Sequence, residues 1–465
     1  MRNFLFLALA TLVLAACGGG GSGSELGGSS GSGGGGSSGS GSSGSGPSSY
    51  DQAMSTATAA NVQTVVLDQG PAALAAANIG SVNTIFTSVQ ICAPGSSTNC
   101  QVIDHVQVDT GSSGLRIVSS VLNSTLYAAL VQQTLGGEPL YECVGFVDGY
   151  SWGPIFTADL HIGGTTTNSG ETAASIPVQI IGGGSTSATP PASCAGSDTS
   201  FSIASDTPPT CNASGATALP EEDTVACFGA NGIIGVGSFP QDCGTSCTQA
   251  SGSLYYTCPA GANCTPTGVP LNQQVPNPVA SFTTDNNGVV IQLPSIPASG
   301  QTLVAGTLTF GIGTQSNNAL GSATVLAMDP NYGYFTTDFD GSTFSDSYID
   351  SGSNALYINN STIPQCSSTG DAQYFLCPSS TLSESATNTG VNGATTTVSF
   401  SIANAETLFN NQYAAYDDLA GTDPVQSTTD NQAFGWGVPF FFGRTVFTSI
   451  GGSGVGDTDN PIVAY

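Results

Sequence analysis

The chain has no lysine, and its only cationic side chains are Arg2, Arg116 and Arg444 beside the histidines His105 and His161. Nucleic acid is held by neutralising its phosphates with Lys and Arg, so this shortage excludes it as a partner. Charge of any sign is scarce at 7%, yet 31 residues are acidic and the formal charge is −28. When those carboxylates protonate, almost no positive charge remains to drive self-repulsion, and we expect tolerance of low pH. His105 and His161 lack companion ligands at metal spacing, and no nucleophile-elbow sequence accompanies them, so both read as structural. Long apolar runs are also missing. The longest N-terminal one, residues 4–14, is too short to span a bilayer. Helical periodicity is confined to residues 124–135 and 404–419, with Ser124 and Asn404 as expected caps.

What is present is apolar content of 39% in 465 residues, enough for sizeable cores. Arg2, the apolar run and Ala15-Ala16 form a secretory leader. Leu14-Ala15-Ala16-Cys17 resembles a bacterial lipobox, which implies a leader over 1–17 and lipidation of Cys17. Gly18, where an aspartate would retain the protein at the inner membrane, favours the outer membrane. The expected location is therefore the bacterial cell envelope, lipid-anchored, on its periplasmic face or surface. Residues 18–48 are almost wholly Gly and Ser, a flexible tether. Setting Cys17 aside, 13 − 1 leaves 12 cysteines, an even count that reads as up to six disulfides in an oxidising compartment. Cys92 with Cys100 and Cys366 with Cys377 are natural local pairs, while the full connectivity stays open. Zinc at Cys243 and Cys247 is the competing reading, disfavoured by the compartment and the two histidines. No metal or cofactor is expected.

From residue 49 onward the pattern is mainly β. Runs rich in Val, Ile, Thr, Phe and Tyr at 64–67, 84–91, 289–293 and 306–312 are separated by turns such as Asp285-Asn286-Asn287-Gly288 and Asp340-Gly341. A Cys/Pro/Ser/Gly-rich stretch at about 185–270 reads as a disulfide-stapled insertion. The pairs Asp338/Asp340 and Asp457/Asp459 do not complete a calcium loop and read as solvated turns.

One stretch has an echo. Val106-Gln107-Val108-Asp109-Thr110-Gly111-Ser112 is an apolar strand ending in a carboxylate, a hydroxyl and a glycine, and Tyr348-Ile349-Asp350-Ser351-Gly352-Ser353 repeats that framing. Apolar residues follow each copy: Leu115, Ile117 and Val118, then Leu356, Tyr357 and Ile358. Two copies imply two related halves, each bringing one aspartate to a shared site. Two adjacent carboxylates that share a proton provide an acid and a base together.

These motifs resemble the paired active-site loops of pepsin-like aspartic peptidases, in which two apolar residues and a glycine pack against each loop. Ile233-Ile234-Gly235 is the expected partner of the first copy, and Phe441-Phe442-Gly443 that of the second. The resemblance implies a bilobal fold of two related six-stranded-type β lobes, 49–313 and 314–465, with a cleft between them. It implies Asp109 and Asp350 as catalytic, Thr110 and Ser351 as cross-braces, and Ser112 and Ser353 as hydrogen-bond donors to the carboxylates. Gly111 and Gly352 would allow close backbone approach. A hairpin flap is expected at Gly149-Tyr150-Ser151-Trp152-Gly153, with Tyr150 at the substrate and Trp152 in reserve. Asp-Asn-Asn-Gly, Phe310-Gly-Ile-Gly-Thr-Gln-Ser-Asn-Asn318 and Pro439-Phe-Phe-Phe-Gly-Arg444 also resemble an uncharacterised family of bacterial lipoproteins of that fold. Arg116 is expected to pair with a buried carboxylate, and Arg444 is a candidate for binding an acidic substrate group. The expectation is a monomeric, membrane-tethered endopeptidase acting on an extended peptide or protein. Its rival is a non-catalytic envelope protein of the same fold that binds peptide, glycan or a partner protein.

Overall fold

β-Branched and aromatic residues favour pleated, half-buried backbone, and strands dominate this chain accordingly. The structure, a computed structural model, describes residues 59–77, 80–146, 149–164, 170–184, 188–194, 220–360, 362–367, 372, 374–422 and 432–465. The stretches expected as leader and tether, Cys17 between them, and residues 195–219 lie outside the described residues. Among those described, no helix is long and apolar enough to cross a membrane.

Among the described residues the strands form two sheets, one of 17 strands and one of seven. Six strands of the larger sheet run in continuous antiparallel order: Val62–Leu67, Val304–Phe310, Gly288–Gln292, Thr445–Ser449, Ile462–Ala464 and Val325–Ala327. Both ends of the described chain thus meet in one ribbon. The smaller sheet runs Thr395–Ile402, Leu382–Thr389, Phe335–Phe339, Ser342–Ile349, Phe434–Trp436, Leu356–Ile358, Ala420–Gly421. Asp340 and Gly341 turn its central hairpin with φ of 49° and 76°, the left-handed pair that a two-residue hairpin loop requires.

The echo in sequence is an echo in topology. Gly232–Val236 lies between Cys100–Asp109, to which it is parallel, and Ser113–Val118, to which it is antiparallel. Phe434–Trp436 lies between Ser342–Ile349 and Leu356–Ile358 in the same two senses. A fourth strand extends each set in parallel: Glu171–Ile181 beside Ser113–Val118, and Ala420–Gly421 beside Leu356–Ile358.

Both expected helices are short. The first covers Ser124–Ala129 and is capped by Asn123, whose side chain accepts from the Leu126 N–H, so Ser124 is not the cap. Val131 and Thr134 then favour strand, and Gly136 and Gly137 turn the chain at positive φ. The second covers Ala405–Phe409, with Asn404 as cap.

Five disulfides are present among the described residues: Cys92–Cys100, Cys143–Cys194, Cys243–Cys247, Cys258–Cys264 and Cys366–Cys377. Cys227 is disulfide-bonded as well. The Cys243 and Cys247 thiols are consumed by each other, which removes the zinc reading. Such cross-links point to an oxidising, extracytoplasmic environment.

Candidate functional site

Asp109 ends the Cys100–Asp109 strand and Asp350 follows Ser342–Ile349, and both carboxyls are buried, Asp109 fully and Asp350 at 1% exposure. Each loop serves its aspartate in the same way. The Gly111 N–H donates to Asp109 Oδ1 at 2.7 Å and the Ser112 hydroxyl donates to Asp109 Oδ2. The Gly352 N–H donates to Asp350 Oδ1 at 2.7 Å, and the Ser353 hydroxyl to Asp350 Oδ2 at 2.7 Å. Each loop's glycine also packs on the opposite carboxyl. A Cβ on Gly111 would lie 2.7 Å from Asp350 Oδ1, and one on Gly352 would lie 2.5 Å from Asp109 Oδ1. No side chain larger than hydrogen fits at either place.

The loops are tied across the same gap. The Thr110 N–H donates to Ser351 Oγ at 3.0 Å, and the Ser351 N–H donates to Thr110 Oγ1 at 2.9 Å. Ser351 Oγ donates onward to the Val108 carbonyl at 2.8 Å, and Gln107 Nε2 donates to the Gly352 carbonyl at 3.2 Å. The carboxyls bond to each other, and burial, then the charge of Asp350, holds Asp109 well above the usual carboxylate range. Asp350 is also raised by burial, which outweighs the lowering by its bonds to Asp109, Ser353, Gly352 and Gly111. Two such carboxyls hold one proton between them and titrate as a unit.

Behind Asp109, Ile233 and Ile234 are fully buried and Gly235 stands beside both Asp109 and Gly114. The second loop corrects the expectation. Its partner is Gly435-Trp436-Gly437, since Trp436 pairs with Ile349 and Leu356, and one step further Gly437 meets Asp350 and Ala355. A Cβ on Gly437 would lie 2.2 Å from the Ala355 carbonyl oxygen. Position 435 holds glycine because the Tyr348 ring fills the space, its hydroxyl 2.7 Å from where a Cβ would sit. Phe441-Phe442-Gly443 instead returns the chain to the six-strand ribbon, with Phe442 bridging Leu293 and the Gly443 N–H donating to the Leu293 carbonyl at 3.0 Å.

A cavity of about 80 Å³ reaches Asp350, Gly111 and Ser112, with Phe239, Tyr334 and Tyr348 among its walls. Sequence reasoning missed these aromatics; the one signal for Tyr334 and Tyr348 was the density of Tyr and Phe between 332 and 348, and Phe239 had none. Tyr150 and Trp152 do lie on a hairpin strand, Tyr150–Ile162 against Glu138–Gly145, but neither lines this cavity. Tyr150 is buried and bonds Glu221, while Trp152 stacks on Tyr141 and donates to the Ala188 carbonyl at 2.9 Å.

Arg116 pairs as expected, and with two carboxylates. Its Nη2 contacts Glu142 at 2.9 Å and Asp242 at 3.1 Å, and its Nη1 donates to the Ser113 carbonyl at 2.9 Å. The Tyr255 hydroxyl donates to Asp242, completing a buried cluster that joins the first loop to the hairpin. Burial, then Glu142, raises Asp242 well above its ordinary value. Arg444 is absent from the lining of the cavity at the aspartates: Nη1 donates to the Phe440 carbonyl at 2.6 Å, and the guanidinium lies 4.7 Å over the Phe440 ring. His105 is structural, held between Asp104 at 2.8 Å and Asp68 at 3.2 Å.

No curated protein matches this chain. Among solved structures it is similar to basic 7S globulin from soybean, at 10% identity and a TM-score of 0.40, over 87% of this chain and 96% of that one. The family model described as a protein of unknown function, DUF3443, matches residues 57–465, and the chain belongs to that family.

Proposed function

We propose that the chain is an aspartic endopeptidase of pepsin-like, bilobal build, with Asp109 and Asp350 at the cleft between its lobes. The observation that carries this reading is the reciprocal setting of the two carboxyls: each is fixed by a glycine N–H and a serine hydroxyl, and each lies within hydrogen-bonding reach of the other. The ionised member takes a proton from a bound water, whose oxygen then attacks the peptide carbonyl carbon. The protonated member donates to the carbonyl oxygen as negative charge develops there. Collapse of the tetrahedral intermediate, with proton transfer to the amine, releases two peptides. The acid and base roles belong to the pair, and neither aspartate owns one.

Aromatic walls at Phe239, Tyr334 and Tyr348 suit apolar side chains of an extended peptide. The lipobox-like Cys17 and the tether support anchoring at the outer membrane of a bacterial envelope, as a monomer acting on peptide or protein. Digestion of a peptide library from pH 3 to pH 7, with and without pepstatin, tests the reading. Cleavage that pepstatin blocks supports it. A folded protein that cuts nothing at any of these pH values returns the site to a binding role.

A further inference from the structure

A second cavity, of about 800 Å³, opens on the smaller sheet, where the hairpin of Leu382–Thr389 and Thr395–Ile402 faces residues 436–444. Its charge is one-sided: Asp340, Glu384, Asp417 and Asp418 line it against a single guanidinium, Arg444. Arg444 spends its donors on the carbonyls of Phe440 and Ser399, and among the described residues it makes no ion pair with any of the four. Asp418 is 3% exposed, and its Oδ1 has no hydrogen-bond partner. Burial, then the charge of Asp417, pushes it up to about 6 against a backbone hydrogen bond that lowers it, and among the described residues no cation pairs with it. A buried, unpartnered carboxylate oxygen is costly unless a ligand supplies the donor.

The spacing of the carboxylates decides what kind of cation fits. Among the described residues, one group only offers three ligand atoms within 4.8 Å of one another, Cys366, Cys377 and Glu406, and its cysteines form a disulfide. The four cavity carboxylates are therefore too dispersed to converge on one metal ion. Dispersed carboxylates suit a longer cation whose charged groups are spread along it. Phe400, half-buried in the wall, is an aromatic residue of the kind against which an alkylammonium or guanidinium group packs. The serine hydroxyls of the hairpin, Ser383 and Ser385 among them, accept further N–H bonds.

We propose that this cavity binds an organic cation carrying at least two amino or guanidino groups, either a free polyamine or the basic side chains of a polypeptide. The site stands apart from the aspartate pair and does not depend on peptidase activity.

Isothermal titration of the purified protein in 150 mM salt tests it with three probes: spermine, a Lys/Arg-rich decapeptide and magnesium. Spermine or the decapeptide should saturate one site per chain, and magnesium should not. Tighter binding of spermine identifies a free polyamine as the ligand class, and tighter binding of the decapeptide a polypeptide. Because the chain carries −28 charges, binding to the general surface must be separated from binding in the cavity. Asp418→Asn and Glu384→Gln should each weaken binding at least tenfold, while Glu138→Gln, at an exposed position outside the cavity, should leave it unchanged. Glu384 is half-buried on a strand, so its variant carries the test if Asp418→Asn fails to fold. Absent binding, affinity unchanged in Glu384→Gln, or an equal loss in Glu138→Gln would overturn the proposal.

Discussion

Thr110 and Ser351 exchange hydrogen bonds across 241 residues of chain, each hydroxyl accepting from the other's backbone N–H. This pairing fixes the distance between the two aspartates, because each hydroxyl residue directly follows one of them. Ser351→Ala leaves the buried Thr110 N–H without its acceptor. We expect it to cost about 1–3 kcal/mol of stability by denaturant unfolding, and to lower activity more than stability alone accounts for. Ser351→Thr keeps the oxygen and should retain most of both.

Gly437 has no room for a methyl group, with the Ala355 carbonyl 2.2 Å from where its Cβ would stand. Gly437→Ala should destabilise by about 3 kcal/mol or more, as overpacking against rigid backbone does, and should displace the Asp350 loop. Thermal unfolding and the pH profile of activity read the two effects separately.

Arg116 is the one cation beside the buried Glu142 and Asp242. Removing it as Arg116→Met leaves two carboxyls uncompensated, at an expected cost of about 3–5 kcal/mol at pH 7. The loss should shrink as pH falls and Asp242, raised by its burial and by Glu142, protonates. A loss of equal size at pH 4.5 and pH 7 would contradict the cluster's role.

Acid should stabilise this protein over part of its range. Glu171 and Glu221 are both raised to about 7 by burial, and Asp418 to about 6. Folded carboxyls with raised values bind more protons than unfolded ones from about pH 4 to pH 7, so their contribution is present below that window and is lost as pH rises through it. Asp104, lowered by His105, opposes them but is outnumbered. At the alkaline end, burial disfavours the charged His105 ring, but its bonds to Asp104 and Asp68 prevail and raise it to about 9. That stabilisation holds below pH 6.5 and fades as pH rises through about 9. Melting temperature should therefore be higher at pH 5 than at pH 7.5, and should fall again toward pH 10. His105→Gln should flatten the alkaline fall.

Strand content, the two aspartate loops and their donors were legible in sequence because local chemistry dictates them: alternation for the strands, small hydroxyl and glycine residues for the loops. The strand behind the second loop was not. Gly435-Trp436-Gly437 does not read as two apolar residues and a glycine, and its first glycine answers to the ring of Tyr348, distant in sequence. The partners of Arg116 were hidden for the same reason, since Glu142 and Asp242 are 26 and 126 residues away. Tyr150 and Trp152 matched a local spacing, but packing against residues 188–194 and 220–222 decided where they went.

The most direct test of the central claim is the cleavage rate of one defined peptide by the wild-type protein and by Asp109→Asn, measured from pH 3 to pH 7. A shared proton predicts a bell-shaped profile for the wild type and a loss of at least 1,000-fold in the variant at every pH, with its fold unchanged by circular dichroism. A folded Asp109→Asn variant that cleaves at the wild-type rate would contradict it.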